Sequence, residues 1–247
     1  MKTNLPVIIP DWPAPANIRA LSTTRTGGCS LPPYQQLNLG MHVGDEEFRV
    51  INNRHLLSTS KKLPQPPRWL KQIHSTQVIN TQDWYAGIEA DACISQTTKA
   101  ICAVMTADCL PILLCDVQGN HVAAIHAGWR GLAAGIIENT IAKMACHSNK
   151  LIAWLGPAIG PSAFEVGTEV RKAFVDINAT DAVAFSAHDS QWLADLYLLA
   201  QHRLKAAGIS AIYGGNFCTF KDQQRFFSYR RDGVTGRMAT MIWIDYK

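Results

Sequence analysis

Six stretches of the chain are apolar almost without interruption: NIRALST (17–23), AICAVMT (100–106), LPILLCD (110–116), HVAAIHA (121–127), LIAWLG (151–156) and MATMIWI (238–244). Short apolar runs of this kind predict strands buried on both faces, not the half-solvated strands whose side chains alternate. Pro111 restricts its own strand, because a residue without an N–H fits only near a strand start or on an edge. Two other stretches carry helical spacing. Leu132, Ile136, Ile137, Ile141 and Met144 form one stripe over 132–145, and Leu193, Leu196, Ala200 and Leu204 form another over 191–207, where Gly208 is placed to end the helix. Strands and helices mix without strict βαβ alternation, which predicts an α/β (α+β) fold of layered, mixed β-sheets flanked by helices. No repeat or low-complexity tract interrupts the chain, and the LPQPPRW piece (63–69) reads as a surface crossing. Residues 1–247 are therefore expected to form a single domain.

Composition narrows the class of function. With 47% hydrophobic and 17% charged residues the balance is globular, and a net charge of +4 without basic runs argues against a nucleic-acid partner. The apolar part of the N-terminal MKTNLPVIIPDWPAP is interrupted by Pro6 and Pro10, too broken for a signal peptide. No window approaches the roughly 20 apolar residues of a membrane span, so a cytoplasmic protein is expected. Seven cysteines, an odd number without a C-x-x-C pair, do not suggest a disulfide framework. Cys102, Cys115 and Cys146 sit among aliphatic neighbours and read as small buried hydrophobes.

Cys109 stands apart. VQGN (117–120) between two apolar runs is a turn signal, so 110–116 and 121–127 should pair as a β-hairpin. With the turn centred near 117–119, partners sum to about 235 or 236, which sets Cys109 almost opposite His126, with α-carbons roughly 5 Å apart. A thiolate and an imidazole at that separation can share a metal or a proton. A slip of one residue would send one of them to the wrong face.

Loops add further chemistry. AGWRGL (127–132) places Arg130 between two glycines where strand gives way to helix, which reads equally as an anion cradle or as a tight turn. TRTGG (24–28) and NLGMHVGD (38–45) supply Arg25 and His42 as candidate phosphate-holding residues. FFSYRRDGVTGRMA (226–239) adds Ser228, Arg230, Arg231 and Arg237, suited to a planar or anionic group or to a solvated turn. In KQIHSTQV (71–78), His74 taken alone reads as an ordinary surface or hydrogen-bonded histidine.

In order along the chain, TRTGG, NLGMHVGD, QIHSTQV, TADCLPILL, AAIHAGWRGL, GPAIGPSAFEVG and FFSYRRDGVTGRMA closely resemble one family, over about residues 20 to 240. It is the laccase-domain or polyphenol oxidase family, also described as YfiH-like purine nucleoside phosphorylases and peptidoglycan editing factors. The resemblance implies metal ligands at His74, Cys109 and His126, and a layered fold with a Cys–His arrangement like that of certain bacterial cysteine hydrolases.

Two imidazoles and a thiolate suit catalytic zinc, with a fourth position left for water or substrate; copper also binds such a set. The resemblance favours a metal-dependent purine nucleoside phosphorylase acting on adenosine, inosine and methylthioadenosine, with adenosine deaminase as a companion activity. Its partners are then a nucleoside and phosphate, held by Arg25, His42, Arg130 and Arg230. Asp108, beside Cys109, is the expected proton carrier for deamination, although strand neighbours face opposite ways. A second reading is amide hydrolysis of a peptidoglycan precursor, with Cys109 as nucleophile and His126 as base. Copper-dependent phenol oxidation ranks third, because none of the eight histidines forms a His-x-His pair.

Overall fold

The computed structural model describes residues 5–246; residues 1–4 of the N-terminal stretch and residue 247 lie outside it. All six apolar runs form strands: Ile18–Thr23, Cys102–Thr106, Leu110–Asp116, Val122–Ala127, Leu151–Leu155 and Met238–Ile244. Five of these six are buried along their whole length; Ile18–Thr23 has an exposed residue near its start. In the Leu110–Asp116 strand, Leu110, Ile112 and Leu114 enter one apolar cluster and Leu113 and Cys115 enter another, so both faces are covered. Pro111 is its second residue, near the strand start as its missing N–H requires.

Two sheets stack. One has four antiparallel strands in the order Val7–Ile8, Ile18–Thr23, Met238–Ile244, Cys102–Thr106. The other has six, ordered Ala211–Gly214, Leu151–Leu155, Leu110–Asp116, Val122–Ala127, Ala92–Ser95, Val78–Asn80, and is mixed, with parallel pairs at its two edges. Cys102, Val104, Ile242 and Ile244 of the first meet Cys93, Leu113, Val122, Ala124 and Trp154 of the second. Ile136, Ile137, Val170, Phe174, Leu199 and Leu204 cover the outer face of the six-stranded sheet. Leu57 packs with Leu37 and Leu39 against Ala103, Met105, Ala239 and Met241 on the outer face of the other. The result is a helix–sheet–sheet–helix layering, the mixed α+β architecture expected. A smaller antiparallel sheet is formed by Phe185–His188, Gln191–Ala194 and Glu165–Val166. Among the described residues no helix is long and apolar enough to cross a membrane.

Three expectations need correction. The helix predicted over 132–145 begins earlier and is two helices, Trp129–Ala134 and Ile136–Met144, divided at Gly135 with φ of +97°. The stretch 191–207 is not one helix. Gln191–Ala194 is a strand, and Asp195 caps the helix Leu196–Ala206 by accepting the Leu198 N–H at 3.0 Å. Gly208, with φ of +90°, closes that helix as predicted.

The hairpin forms, but its partners sum to 237: Leu110 pairs with Ala127 and Pro111 with His126. The turn is centred later because Asp116 Oδ1 accepts the N–H groups of Asn120 (2.7 Å) and His121 (2.8 Å). Cys109 therefore falls opposite Gly128, two positions from His126. An even offset keeps both on the same face.

Candidate metal centre

His74, Cys109 and His126 converge beside the start of the 110–116 strand, with one potential ligand atom from each lying within 4.8 Å of the others. Cys109 Sγ is 3.8 Å from His74 Nε2, close to the roughly 3.6 Å separation that tetrahedral zinc gives a sulfur and an imidazole ligand. The two imidazoles meet edge to face, with centroids 4.9 Å apart. His126 is buried, Cys109 half-buried and His74 exposed, so the group opens to solvent on one side. Two imidazoles and a thiolate in this arrangement fit a divalent transition metal. Among the described residues it is the one His/Cys/Asp/Glu group close enough to hold an ion.

Asp91 is the organiser that sequence reasoning missed. Fully buried, it accepts from His74 N–H (3.0 Å) and His126 Nδ1 (2.8 Å) on Oδ1. On Oδ2 it accepts from Ile73 N–H (3.3 Å), Ser75 N–H (2.6 Å) and Ser75 Oγ (2.7 Å). Three successive backbone N–H groups thus face one carboxylate, forming an anion-holding concavity around a left-handed residue, His74, with φ of +59°. The bond to Nδ1 also fixes the tautomer of His126, leaving Nε2 as its metal-facing nitrogen. Burial would raise the Asp91 carboxyl, but hydrogen bonds from His126 and Ser75 outweigh it and hold it below the usual range. The only signal in the sequence was an acid, in EADACIS, just ahead of an apolar strand.

The two glycines of AGWRGL are explained by packing. A Cβ on Gly128 would come within 2.9 Å of His74 Cδ2 and 3.1 Å of Cys109 Sγ, and one on Gly131 within 3.0 Å of the Ser75 carbonyl. They let the hairpin and the short helix approach the His74 loop. Arg130 is exposed, its guanidinium 4.4 Å from the Trp129 ring centroid.

Burial alone would push the Cys109 thiol up, but His126 and His74 outweigh it and lower it to about 6. Burial would likewise pull His126 down, yet Cys109 and Asp91 raise it to about 9. Without metal the pair is a thiolate beside an imidazolium between those values. A lowered pKa keeps the thiolate present at lower pH. Cys109 in metal-free protein should therefore be alkylated by iodoacetamide with a half-maximal rate near pH 6, followed by peptide mass spectrometry. A midpoint above about pH 8 would contradict the ion pair. Burial pushes the Cys115 thiol the other way, up to about 12, and raises Cys102, in keeping with inert core thiols. Cys146 is only half-buried.

The remaining candidates are dispersed. Asp108, with φ of +89°, accepts from Thr219 Oγ1 (2.6 Å), Ser228 Oγ (3.0 Å) and the Arg230 N–H (2.7 Å). Both carboxylate oxygens are thus engaged in pinning the C-terminal loops to the strand that begins at Leu110. Arg230 itself donates Nη1 to the Glu165 carbonyl at 2.7 Å. Arg25 donates to the carbonyls of Gln35 (3.0 Å) and Gln223 (3.1 Å) and lines a cavity of about 600 Å³ that none of the three candidate ligands lines. The second glycine of TRTGG serves packing too, because a Cβ on Gly28 would meet Asn53 Oδ1 at 2.5 Å. His42 is exposed and lies within the electrostatic reach of His126, Arg54 and Arg237.

Layered mixed sheets with a His–Cys–His group beside the central hairpin define the class: a mixed α+β protein with a group suited to hold a metal ion, organised by a buried aspartate. The chain belongs to the laccase-domain, YfiH-like family, and residues 19–245 match the family described as "Multi-copper polyphenol oxidoreductase laccase". It is 51% identical over 239 residues to the "Purine nucleoside phosphorylase YfiH" of Escherichia coli K12, covering 96% of this chain and 98% of that one. A purine nucleoside phosphorylase of Pseudomonas aeruginosa is 50% identical, with coverage of 96% and 98%. The crystal structure of a Neisseria meningitidis protein superposes with a TM-score of 0.94 at 50% identity, covering 97% of this chain and 99% of that one.

Proposed function

We propose that the chain is a metal-dependent purine nucleoside phosphorylase, acting in the cytoplasm on adenosine, inosine and methylthioadenosine, with adenosine deamination as a companion reaction. The observation that carries this reading is the open His74–Cys109–His126 group, bolted through Asp91, in a chain half-identical to proteins named purine nucleoside phosphorylases. Phosphorolysis breaks the bond from C1′ of the ribose to the purine nitrogen and forms one from C1′ to a phosphate oxygen, releasing free base with ribose 1-phosphate, or with 5-methylthioribose 1-phosphate from methylthioadenosine. Deamination consumes water at C6 of adenine and releases ammonia. Zinc, the ion that best suits this donor set in a reducing compartment, would supply Lewis-acid polarisation of an oxygen or a water molecule.

The protein's own residues do the rest. Cys109 and the two imidazoles supply one negative and two neutral donors, so the loaded centre keeps net positive charge toward an anionic co-substrate. Asp91 holds both histidines in register, and Asp108 positions the loops carrying Ser228 and Arg230 at the same strand end. Arg130 and Arg230, both exposed, would attract anions from further out.

The thiolate–imidazolium pair favours a second reading for the metal-free state: amide hydrolysis, with Cys109 as nucleophile and His126 as proton donor to the leaving amine. A single three-ligand group does not suit the several coppers that four-electron reduction of oxygen needs, so phenol oxidation stays third.

The reading is tested by incubating metal-quantified protein with adenosine and inosine, with and without phosphate, and separating the products. Phosphate-dependent release of base with ribose 1-phosphate is expected. Turnover indifferent to phosphate, or none, defeats the phosphorylase reading, and hydrolysis of a cell-wall precursor amide would replace it.

A further inference from the structure

Arg237 precedes the Met238–Ile244 strand, and the 38–45 loop is built around it. Its N–H donates to Asn38 Oδ1 (2.9 Å), its carbonyl accepts from the Leu39 N–H (3.1 Å), and Asn38 Oδ1 also takes the Gly40 N–H (2.9 Å). Gly40 lies against the arginine stem, where a Cβ would come within 2.8 Å of Arg237 Cγ. The guanidinium is tied at one end only, with Nη1 donating to the carbonyls of Thr235 (2.9 Å) and Gly236 (3.1 Å).

What this side chain lacks is an anion. It is half-buried, yet among the described residues it forms no salt bridge with a carboxylate. Arg54, from the helix Glu47–Ser60, reaches the same loop and is in a similar position. Its Nε and Nη2 share the Leu39 carbonyl, at 3.0 and 2.8 Å, and its guanidinium covers the Trp69 ring at 4.2 Å. Burial lowers the pKa of both arginines, and the charges that act on Arg237 in the opposite sense are led by Cys109 and Asp108. Geometry places it there too: Met238 pairs with Thr106, so Arg237 stands at the strand end from which the chain runs on through Asp108 to Cys109. His42 lies two residues beyond Gly40, on the loop that rests against the Arg237 stem. The Arg237 guanidinium has the Tyr229 ring 5.9 Å away but, among the described residues, no carboxylate partner, and a guanidinium with a free edge suits a tetrahedral oxyanion.

We propose that Arg237, with His42 from the 38–45 loop, forms the oxyanion subsite of the metal centre and receives the phosphate consumed in phosphorolysis. The assignment rests on the phosphorylase reading and moves the phosphate from Arg25, whose guanidinium serves two carbonyls beside a different cavity.

The test uses metal-loaded wild type, Arg237→Gln, Arg237→Lys and Arg25→Gln. Inorganic phosphate is titrated calorimetrically without nucleoside, and KM is measured separately for phosphate and inosine, with metal content and melting temperature recorded for each protein. Arg237→Gln should weaken phosphate binding and raise the phosphate KM about tenfold or more, while the inosine KM and metal content stay near wild type. Arg237→Lys keeps stem and charge but loses the fork, and should fall between; it also carries the test if the glutamine variant does not fold. Wild-type phosphate affinity in both Arg237 variants overturns the subsite, as does a phosphate KM that rises in Arg25→Gln alone. Should wild-type turnover ignore phosphate, the phosphorylase reading falls and the titration alone decides: binding lost in the Arg237 variants keeps the subsite, and binding retained or absent throughout overturns it.

Discussion

Replacing Cys109 with alanine should lower bound metal from near one ion per chain to well below that and reduce phosphorolysis by more than about 100-fold, the size that even indirect damage to a metal site reaches. The fold should survive. Cys109 is half-buried beside the strand start and the change removes one sulfur, so the apolar clusters between and outside the sheets are untouched. The decisive measurement is thermal melting with added zinc. An ion that binds the folded chain alone raises the melting temperature by mass action, so zinc should stabilise metal-stripped wild type and leave Cys109→Ala unmoved. An equal rise in both, with wild-type metal content in the variant, would remove Cys109 from the ligand set. Collapse of stripped wild type itself would mean that the metal is structural and not catalytic.

The difference between what could and could not be read beforehand follows from the range of the interactions. The core strands were legible because a strand covered on both faces needs apolar side chains at every position, and that pattern is local. Cys109 and His126 were legible because a hairpin turns sequence spacing into distance, and the two-residue error in register was harmless only because it was even. The helix Glu47–Ser60 was hidden. It buries Val50, Leu57 and a polar residue, Asn53, while Phe48 and Ile51 remain exposed, so no apolar stripe marks its inner face. Asn53 earns that place by holding loops: Nδ2 donates to Ser30 Oγ, the Gln36 carbonyl and the Asn38 carbonyl, and Oδ1 accepts the Cys29 N–H. The strand Gln191–Ala194 was misread because Leu193 happens to continue the helical spacing of Leu196, and only the Asp195 cap separates them. Arg237 was visible as a basic residue among several, and nothing short of the fold shows that it stands at the strand end leading to Cys109.

Asp91→Asn is expected to have the other large effect, because one side chain fixes both histidines. Five donors converge on the carboxylate, and an amide can accept on one edge only. If the Asn carbonyl takes His126 Nδ1, its NH₂ group confronts the N–H groups of Ile73 and Ser75. If it turns over, His126 loses its acceptor and with it the tautomer that presents Nε2 to a metal. Either way a buried donor is left unpaired, at about 1–3 kcal/mol for each. His74, at a φ uncommon for a residue with a side chain, has little else to hold it there. Metal affinity should therefore fall about 10- to 100-fold, measured by competition with a chelating dye, while far-ultraviolet dichroism stays native. The pH response gives an independent check. The Asp91 carboxyl is lowered in the folded chain, so the stability it contributes is present above the ordinary carboxylate range and is lost as pH falls through its own folded value. Wild type should lose melting temperature on acidification more steeply than Asp91→Asn, which starts lower and has no proton to gain there. Parallel acid profiles with unchanged metal affinity would show that the carboxylate fills space in the loop and does not govern the ligands.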